Sequence, residues 1–215
     1  MDLGGHRTFA GGSTQLRWSF FFAGQRMRSL CASGLHLKGK KDGDTGKEVF
    51  FDKDSLIVSK TNLKGHLTYM NDVFLDIAGY QAEELVGKPH NIIRHPDMPR
   101  CVFKLLWDEV QQGKEVFAYV VNITKSEDYY WVIAHVTPSF GLDGSIVGYH
   151  STRRVPNPKT VRDIIIPLYR ELSAIETSYS SRKEGLEASY KKLLAILAEK
   201  DLGYDEFVSH LMLAA

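Results

Sequence analysis

The run His90-Asn91-Ile92-Ile93-Arg94-His95-Pro96-Asp97-Met98-Pro99 places two imidazoles, a guanidinium and a carboxylate in one short stretch. An imidazole titrates near physiological pH, and a guanidinium presents a planar fork of donors suited to a phosphate, a carboxylate or a ring carbonyl. Together they can hold a polar ligand and exchange a proton with it. The prolines at 89, 96 and 99 bias Lys88, His95 and Met98 away from the helical basin, leaving room for one short turn between Asn91 and Arg94. A rigid charged segment inside a compact domain is where binding groups tend to be presented. The competing reading is a solvated loop closed by an Arg94 to Asp97 ion pair.

Such a segment needs a scaffold. Leu56 to Thr61 and Leu67 to Asn71 read as two strands joined by a turn at Asn62 to His66, and Asp72 to Ala78 and Gln81 to Leu85 as short helices stopped by Gly79 and Gly87. Arg100 to Gln112 carries the strongest helical period of the central region, with Gly113 as its stop. Val102, Phe103, Leu106, Trp107 and Val110 share one face; Lys104, Asp108 and Gln111 lie opposite, and Cys101 falls on the polar side. Trp107 therefore points inward, either as plain core or against a ligand. Three further strands, Glu115 to Thr124, Asp128 to Phe140 and Ser145 to Arg153, complete a five-stranded antiparallel sheet. One face of the first carries Val116, Ala118, Val120 and Asn122, which are small and end in an amide, leaving space for something flat. The other face and the following strand are also apolar, so the sheet needs covering twice.

A second cover is available after Pro156 and Pro158. Ile165, Leu168, Leu172, Ile175 and Tyr179 recur at three- and four-residue spacing, and Leu186, Tyr190, Leu193, Leu194 and Leu197 continue the pattern beyond Gly185. This is an amphipathic hairpin that can pack on the sheet, on a second copy or on another protein. Pro167 should kink its first helix or delay its start. A short helix from Tyr204 to Leu213 ends the chain.

Composition narrows the function. The chain has 215 residues and a formal net charge of +1, without the basic excess of a nucleic-acid surface. The two cysteines, Cys31 and Cys101, have no metal-ligand spacing and point to a reducing compartment, so a cytoplasmic location is expected. No apolar run approaches the length of a membrane span, the longest aromatic cluster being Trp18 to Ala23. Residues 1–46 are rich in Gly, Ser, Arg and Lys without period and read as disordered, or as a mis-assigned extension upstream of a true start at Met27. The domains expected are therefore that extension, a sensory domain over 47–155 and a helical signalling segment over 156–215.

From Leu56 to Arg154 the sequence resembles the PAS sensory fold. Tyr80 with Glu83-Glu84-Leu85, the run from Gly87 to Pro99, Leu106-Trp107, Val121-Asn122, Asp128 to Val132 and Gly148-Tyr149 resemble more closely the flavin-binding PAS domains of aerotaxis receptors. The resemblance implies an α+β PAS fold with short helices on one face of its sheet. It also implies non-covalently bound FAD whose redox state is reported to a signalling partner. By matching position it implicates Asn71, Arg94, His95, Asp97, Trp107 and Asn122 in flavin binding or signalling. Arg94 suits a phosphate or flavin carbonyl, Asn122 an isoalloxazine edge and Trp107 an aromatic ring, while His95 beside Asp97 could take up a proton on flavin reduction. The chain looks like the separate PAS subunit of a bipartite energy-taxis receptor. Its C-terminal helices would then contact a membrane-bound chemoreceptor, and a homodimer stays open.

Three rival functions remain. A flavin-adduct photoreceptor needs a cysteine in the loop before the long helix, and His90 to Pro99 has none. A heme sensor could use His90 or His95, although the helix from Arg100 to Gln112 lacks histidine. A cofactor-free PAS domain would only mediate association. An enzyme is not expected, since no nucleophile elbow, P-loop or HExxH accompanies the polar residues.

Overall fold

Asn71 explains how the domain begins. It ends the second strand and caps the first helix: its side-chain Oδ1 accepts from Phe74 N at 3.1 Å and from Val58 N at 2.9 Å, while Nδ2 donates to Leu56 O at 2.8 Å. One amide thus satisfies an open helix terminus and pins the neighbouring strand. The computed structural model describes residues 46–213. The expected extension and Met27 start, with Trp18 to Ala23 and Cys31, lie outside them.

The strands are β1 (Ile57–Asn62), β2 (Leu67–Met70), β3 (Val116–Ile123), β4 (Tyr129–Phe140) and β5 (Ile146–Arg154). They form the antiparallel sheet that alternation and turn chemistry predict, and its strand order is β2-β1-β5-β4-β3. Helices α1 (Asp72–Ala78), α2 (Ala82–Leu85) and α3 (Arg100–Val110) follow β2, with a single 3-10 turn at His90–Ile93 between α2 and α3. That turn closes with Arg94 N donating to Asn91 O at 3.0 Å, within the room the prolines leave. The segment is also stitched to the sheet edge, because Leu67 N donates to Lys88 O and His90 N to Gly65 O. Gly65 has φ +73°, and a Cβ there would lie 3.3 Å from the Trp107 ring, so glycine serves both the turn and the packing.

β3 divides the core. Val116, Ala118, Val120 and Asn122 point toward α3 and the 3-10 turn, while Tyr119 and Val121 point to the other face, where the C-terminal helices lie. Those helices are α4 (Pro158–Thr160), a π turn (Val161–Ile165), α5 (Ile166–Ser178), α6 (Arg182–Ala198) and α7 (Tyr204–Leu213). The expected kink at Pro167 takes the form of the π turn just before it. Ile166 N reaches back to Val161 O, and the wider turn absorbs the bonding irregularity that a residue without an N–H imposes. At Gly185 a Cβ would meet Glu176 O at 2.4 Å, so glycine is what lets α5 and α6 approach so closely.

The hairpin packs on its own domain, the first of the arrangements left open. Tyr169 donates its hydroxyl hydrogen to Tyr119 O, and its ring lies 6.1 Å from that of Trp131. The buried register differs from the expected stripe. Ile165, Ile166, Tyr169, Leu172 and Glu176 face inward, while Tyr179 and Leu194 are exposed. Cys101 is corrected as well. It is fully buried, since the side of α3 that looked polar is covered by α5 and α6, and burial pushes its thiol up to about 11. Glu176 locks this junction by accepting from Arg100 Nε, Cys101 N and Ser189 Oγ, each at 2.9 Å.

Candidate functional site

Between α3, the 3-10 turn and the inner face of the sheet lies a cavity of about 350 Å³. This is within the range of small-molecule sites, roughly 300–1,000 Å³. α3 contributes Phe103, Leu106 and Trp107, whose ring meets Tyr149 edge-on at 5.1 Å. β3 contributes Val120 and Asn122, and β4 contributes Ala134 and Val136, giving the small floor that the alternation in β3 suggests. β1 and β5 contribute polar groups from alternate residues, Ser59 and Thr61 facing Ser151 and Arg153.

The polar lining is unusual. Thr61 Oγ1, Asn122 Nδ2, Ser151 Oγ and Arg153 Nη1 are all buried and have no hydrogen-bond partner among the described residues. Buried polar groups are normally paired, because an unpaired one carries its full desolvation cost of about 1–3 kcal/mol. Four of them belong to residues that line one cavity, where a polar ligand offering both donors and acceptors would pair them.

Arg153 anchors the deep end. Its Nη2 donates to Ser59 Oγ at 3.0 Å and contacts His90 Nε2 at 2.6 Å. A guanidinium can only donate, so Nε2 is the acceptor and His90 is the neutral tautomer protonated at Nδ1. Burial, reinforced by the Arg153 charge, pushes His90 down to about 3 from an ordinary 6.5. Burial also lowers Arg153 to about 10, which still leaves it cationic at neutral pH. The cavity therefore holds a fixed positive charge at one end. A second cation, Arg94, lines the wall. Its Nη2 donates to Met98 O at 3.0 Å, its guanidinium lies 4.2 Å from the centre of the Phe103 ring, and burial lowers its pKa.

The residues singled out from sequence divide between two places. Arg94, Trp107 and Asn122 line the cavity together, and Arg94 and Asn122 are also joined by an isolated backbone bridge between the segment and β3. Asn71, His95 and Asp97 do not line it. Asn71 is spent on the strand and helix bonds described above. His95 is buried against Tyr129, with ring centres 5.8 Å apart, and its Nδ1 accepts the Asp97 N–H at 3.1 Å. Burial lowers its pKa, opposed by the Asp97 charge. Asp97 lies on the outer face of the sheet, under α5, where its carbonyl accepts from Ser173 Oγ. The Arg94 to Asp97 ion pair of the loop reading does not form, because the backbone turns between them and sends the two side chains to opposite faces.

Sequence reading missed Arg153, Ser59, Thr61 and Ser151 as lining residues, and it considered His90 only as an iron ligand. The signal was present in the two-residue alternation: Ser59 and Thr61 follow the buried Ile57, and Ser151 and Arg153 follow Tyr149. A serine or arginine in a strand reads by habit as solvent-facing, and only the pairing of β1 with β5 shows that these four enclose a space.

The family model described as PAS fold matches residues 67–153. The aerotaxis receptor of Escherichia coli (strain K12) is 38% identical over 125 residues, which is 58% of this chain and 24% of that protein. A blue-light-activated histidine kinase of Rhizobium johnstonii is 24% identical over 59% of this chain and 34% of its own length. The chain thus spans only a quarter to a third of these curated relatives. Among solved structures, the dark structure of the blue-light photoreceptor Aureochrome1 LOV is similar at TM-score 0.47 and 18% identity, covering 54% of this chain and 86% of that one.

Proposed function

We propose that this chain, whose residues 67–153 match the family model described as PAS fold, is a redox sensor that holds FAD non-covalently in the inner cavity and passes the flavin's state to a signalling partner. The observation that carries this reading is the set of buried, unpartnered atoms on Thr61, Asn122, Ser151 and Arg153 around one cavity walled by Trp107 and Tyr149. A flavin ring system offers an apolar, flat body and an edge that alternates acceptors with a donor, and it supplies reversible electron transfer. Asn122 Nδ2 and Arg153 Nη1 would donate to its carbonyls, Thr61 or Ser151 would accept its ring N–H, and Trp107 would pack on the ring. Arg94 and Lys64, both lining the cavity, suit the phosphates.

Fixed charge decides how the site feels reduction. A bound flavin would supply the redox chemistry, and the buried Arg153 cation would favour the extra electron density of its reduced form. His90, with Nε2 accepting from Arg153 and its pKa pushed down to about 3, stays neutral and orients that cation. In this reading Asn71, His95 and Asp97 act as positioning residues. Asn71 fixes β1 against α1, and the His95 to Asp97 turn carries movement at Arg94 toward α5.

The heme alternative is weakened at both candidate ligands. His90 Nε2 is taken by Arg153, and His95 lies outside the cavity with its Nδ1 accepting the Asp97 N–H. No nucleophile elbow accompanies the site among the described residues, and a non-enzymatic role is part of the proposal. Among the described residues no helix is long and apolar enough to cross a membrane. We place the protein in the cytoplasm, joined to a membrane-bound chemoreceptor through the outward ridge of the C-terminal helices around Tyr179 and Leu194, with homodimerisation as the alternative. The absorption spectrum of the purified protein tests the central claim. The two visible bands of oxidised flavin are expected, with FAD released on denaturation. A Soret band, or a colourless protein that takes up no FAD on reconstitution, would overturn it.

A further inference from the structure

The sheet carries a second cavity on its outer face, of about 470 Å³, an open cleft along α5 with Pro96, Asp97 and Arg170 at its mouth. Its walls are chiefly apolar and aromatic, from Val121, Trp131, Ile166, Tyr169 and Ala174. Within it one polar atom stands out. Trp131 Nε1 is buried, on a residue only 5% exposed, and has no acceptor among the described residues. An indole N–H can only donate, so what is missing is an acceptor. The hydroxyls that α5 brings to the same space donate to backbone carbonyls, Ser173 Oγ to Asp97 O, Thr177 Oγ1 to Ser173 O and Ser178 Oγ to Ile175 O, and none of their oxygens accepts from the indole.

We infer that this outer cavity is a second binding site, taking a small, flat aromatic molecule with one carbonyl, which accepts from Trp131 Nε1 while its body packs between Tyr169, Ile166 and the sheet. The flat body follows from the aromatic walls, and the single carbonyl from the single missing acceptor. Water alone could satisfy the indole but would leave the apolar walls wetted at a cost that a flat hydrophobic body removes. A ligand here lies directly beneath α5, so its binding would bias how the C-terminal helices sit on the sheet. The inference goes beyond the flavin reading and does not depend on it, because the two cavities lie on opposite faces of β3 and β4.

Coumarin, a flat two-ring lactone, and naphthalene, of similar shape without an acceptor, form a matched pair of probes. Titrated into the full-length, flavin-reconstituted protein, coumarin is expected to shift the indole N–H resonance of Trp131 saturably while that of Trp107 stays still. Replacement variants at Trp18, Trp107 and Trp131 assign the three indoles. Trp131→Phe is expected to weaken coumarin binding about three- to tenfold, the worth of one neutral hydrogen bond, and to leave naphthalene binding unchanged. Ala174→Trp, a change on the exposed side of α5 that fills the space, is expected to abolish binding of both and serves if Trp131→Phe fails to fold. An unmoved Trp131 resonance, a response at Trp107 instead, or equal affinity for both probes would overturn the inference. Flavin absorption recorded on the same sample reports the inner cavity separately, so failure of one reading is visible without failure of the other.

Discussion

The two faces of the sheet hold cavities of similar size and different lining. The inner one, between α3 and the strands, is lined by a buried cation, a neutralised imidazole and residues carrying four unpartnered polar atoms. The outer one, along α5, joins aromatic and aliphatic walls to Asp97, Arg170 and three hydroxyls, and one of its residues carries an unanswered N–H. Neighbouring residues of one strand serve both: Asn122 faces inward and Val121 outward, just as Tyr130 and Trp131 do on β4. Alternation in two strands therefore builds a polar recognition site and a hydrophobic one within a single sheet thickness of each other. The Arg94 to Asp97 stretch crosses from one face to the other, which makes it the natural place for the two sites to communicate.

The largest effect should come from the outer face. Glu176→Ala removes a buried carboxylate that serves Arg100, Cys101 N and Ser189. It is expected to cost about 3 kcal/mol, at the low end for a broken buried pair because Arg100 is a quarter exposed. Chemical denaturation reads this, and flavin retention under native conditions should change little. Loss of flavin at the same time would mean that the faces are coupled and not separate.

On the inner face, Arg153→Met keeps volume but removes the charge and its donors. Flavin affinity should fall about ten- to a hundredfold, as for loss of hydrogen bonds from a charged group of about 1.5–3 kcal/mol. Fluorescence titration measures it, and unchanged affinity would remove Arg153 from the site.

Acid should act next. Folded His90 resists protonation down to about 3, whereas the unfolded chain accepts that proton near 6.5, so its contribution is intact above pH 6.5 and lost progressively as pH falls through that window. The expected loss by pH 5 is on the order of 2 kcal/mol, and His90→Gln should flatten the profile in part. The remaining slope includes His95 and His150, which burial lowers in the same direction. A profile identical in the variant would assign the acid sensitivity elsewhere.

Smallest is Asn122→Ala, expected to weaken flavin about fivefold through loss of one neutral hydrogen bond. A gain in affinity would show that the unpartnered amide opposes the ligand.

Local patterns predicted the elements well because their causes are local. Asn71 with Asp72, the stops at Gly79 and Gly87, and the prolines around His90 to Pro99 act within a few residues, and the structure places each helix and turn where they require. Period and pairing predicted the antiparallel sheet, its small inner floor and the need for two covers. The buried face of the hairpin was misjudged by about one residue: Leu168, Ile175 and Tyr179 were expected inside, while Tyr169 and Glu176 are. Glu176 is tolerated there only because Arg100 and Ser189, 76 and 13 residues away, meet it.

By itself the sequence determined that a five-stranded sheet would carry a rigid, charged segment beside a small-faced strand. The tertiary structure decided which charges face which side. Arg94 turns inward and Asp97 outward because a single 3-10 turn and the Pro96 restriction rotate the backbone between them. Arg153, which a strand pattern would put in solvent, becomes the anchor of the inner cavity because β1 and α1 close over it. Such partners are set by contacts across tens of residues, and a periodicity that reports only which face a side chain shares cannot report what that face will meet.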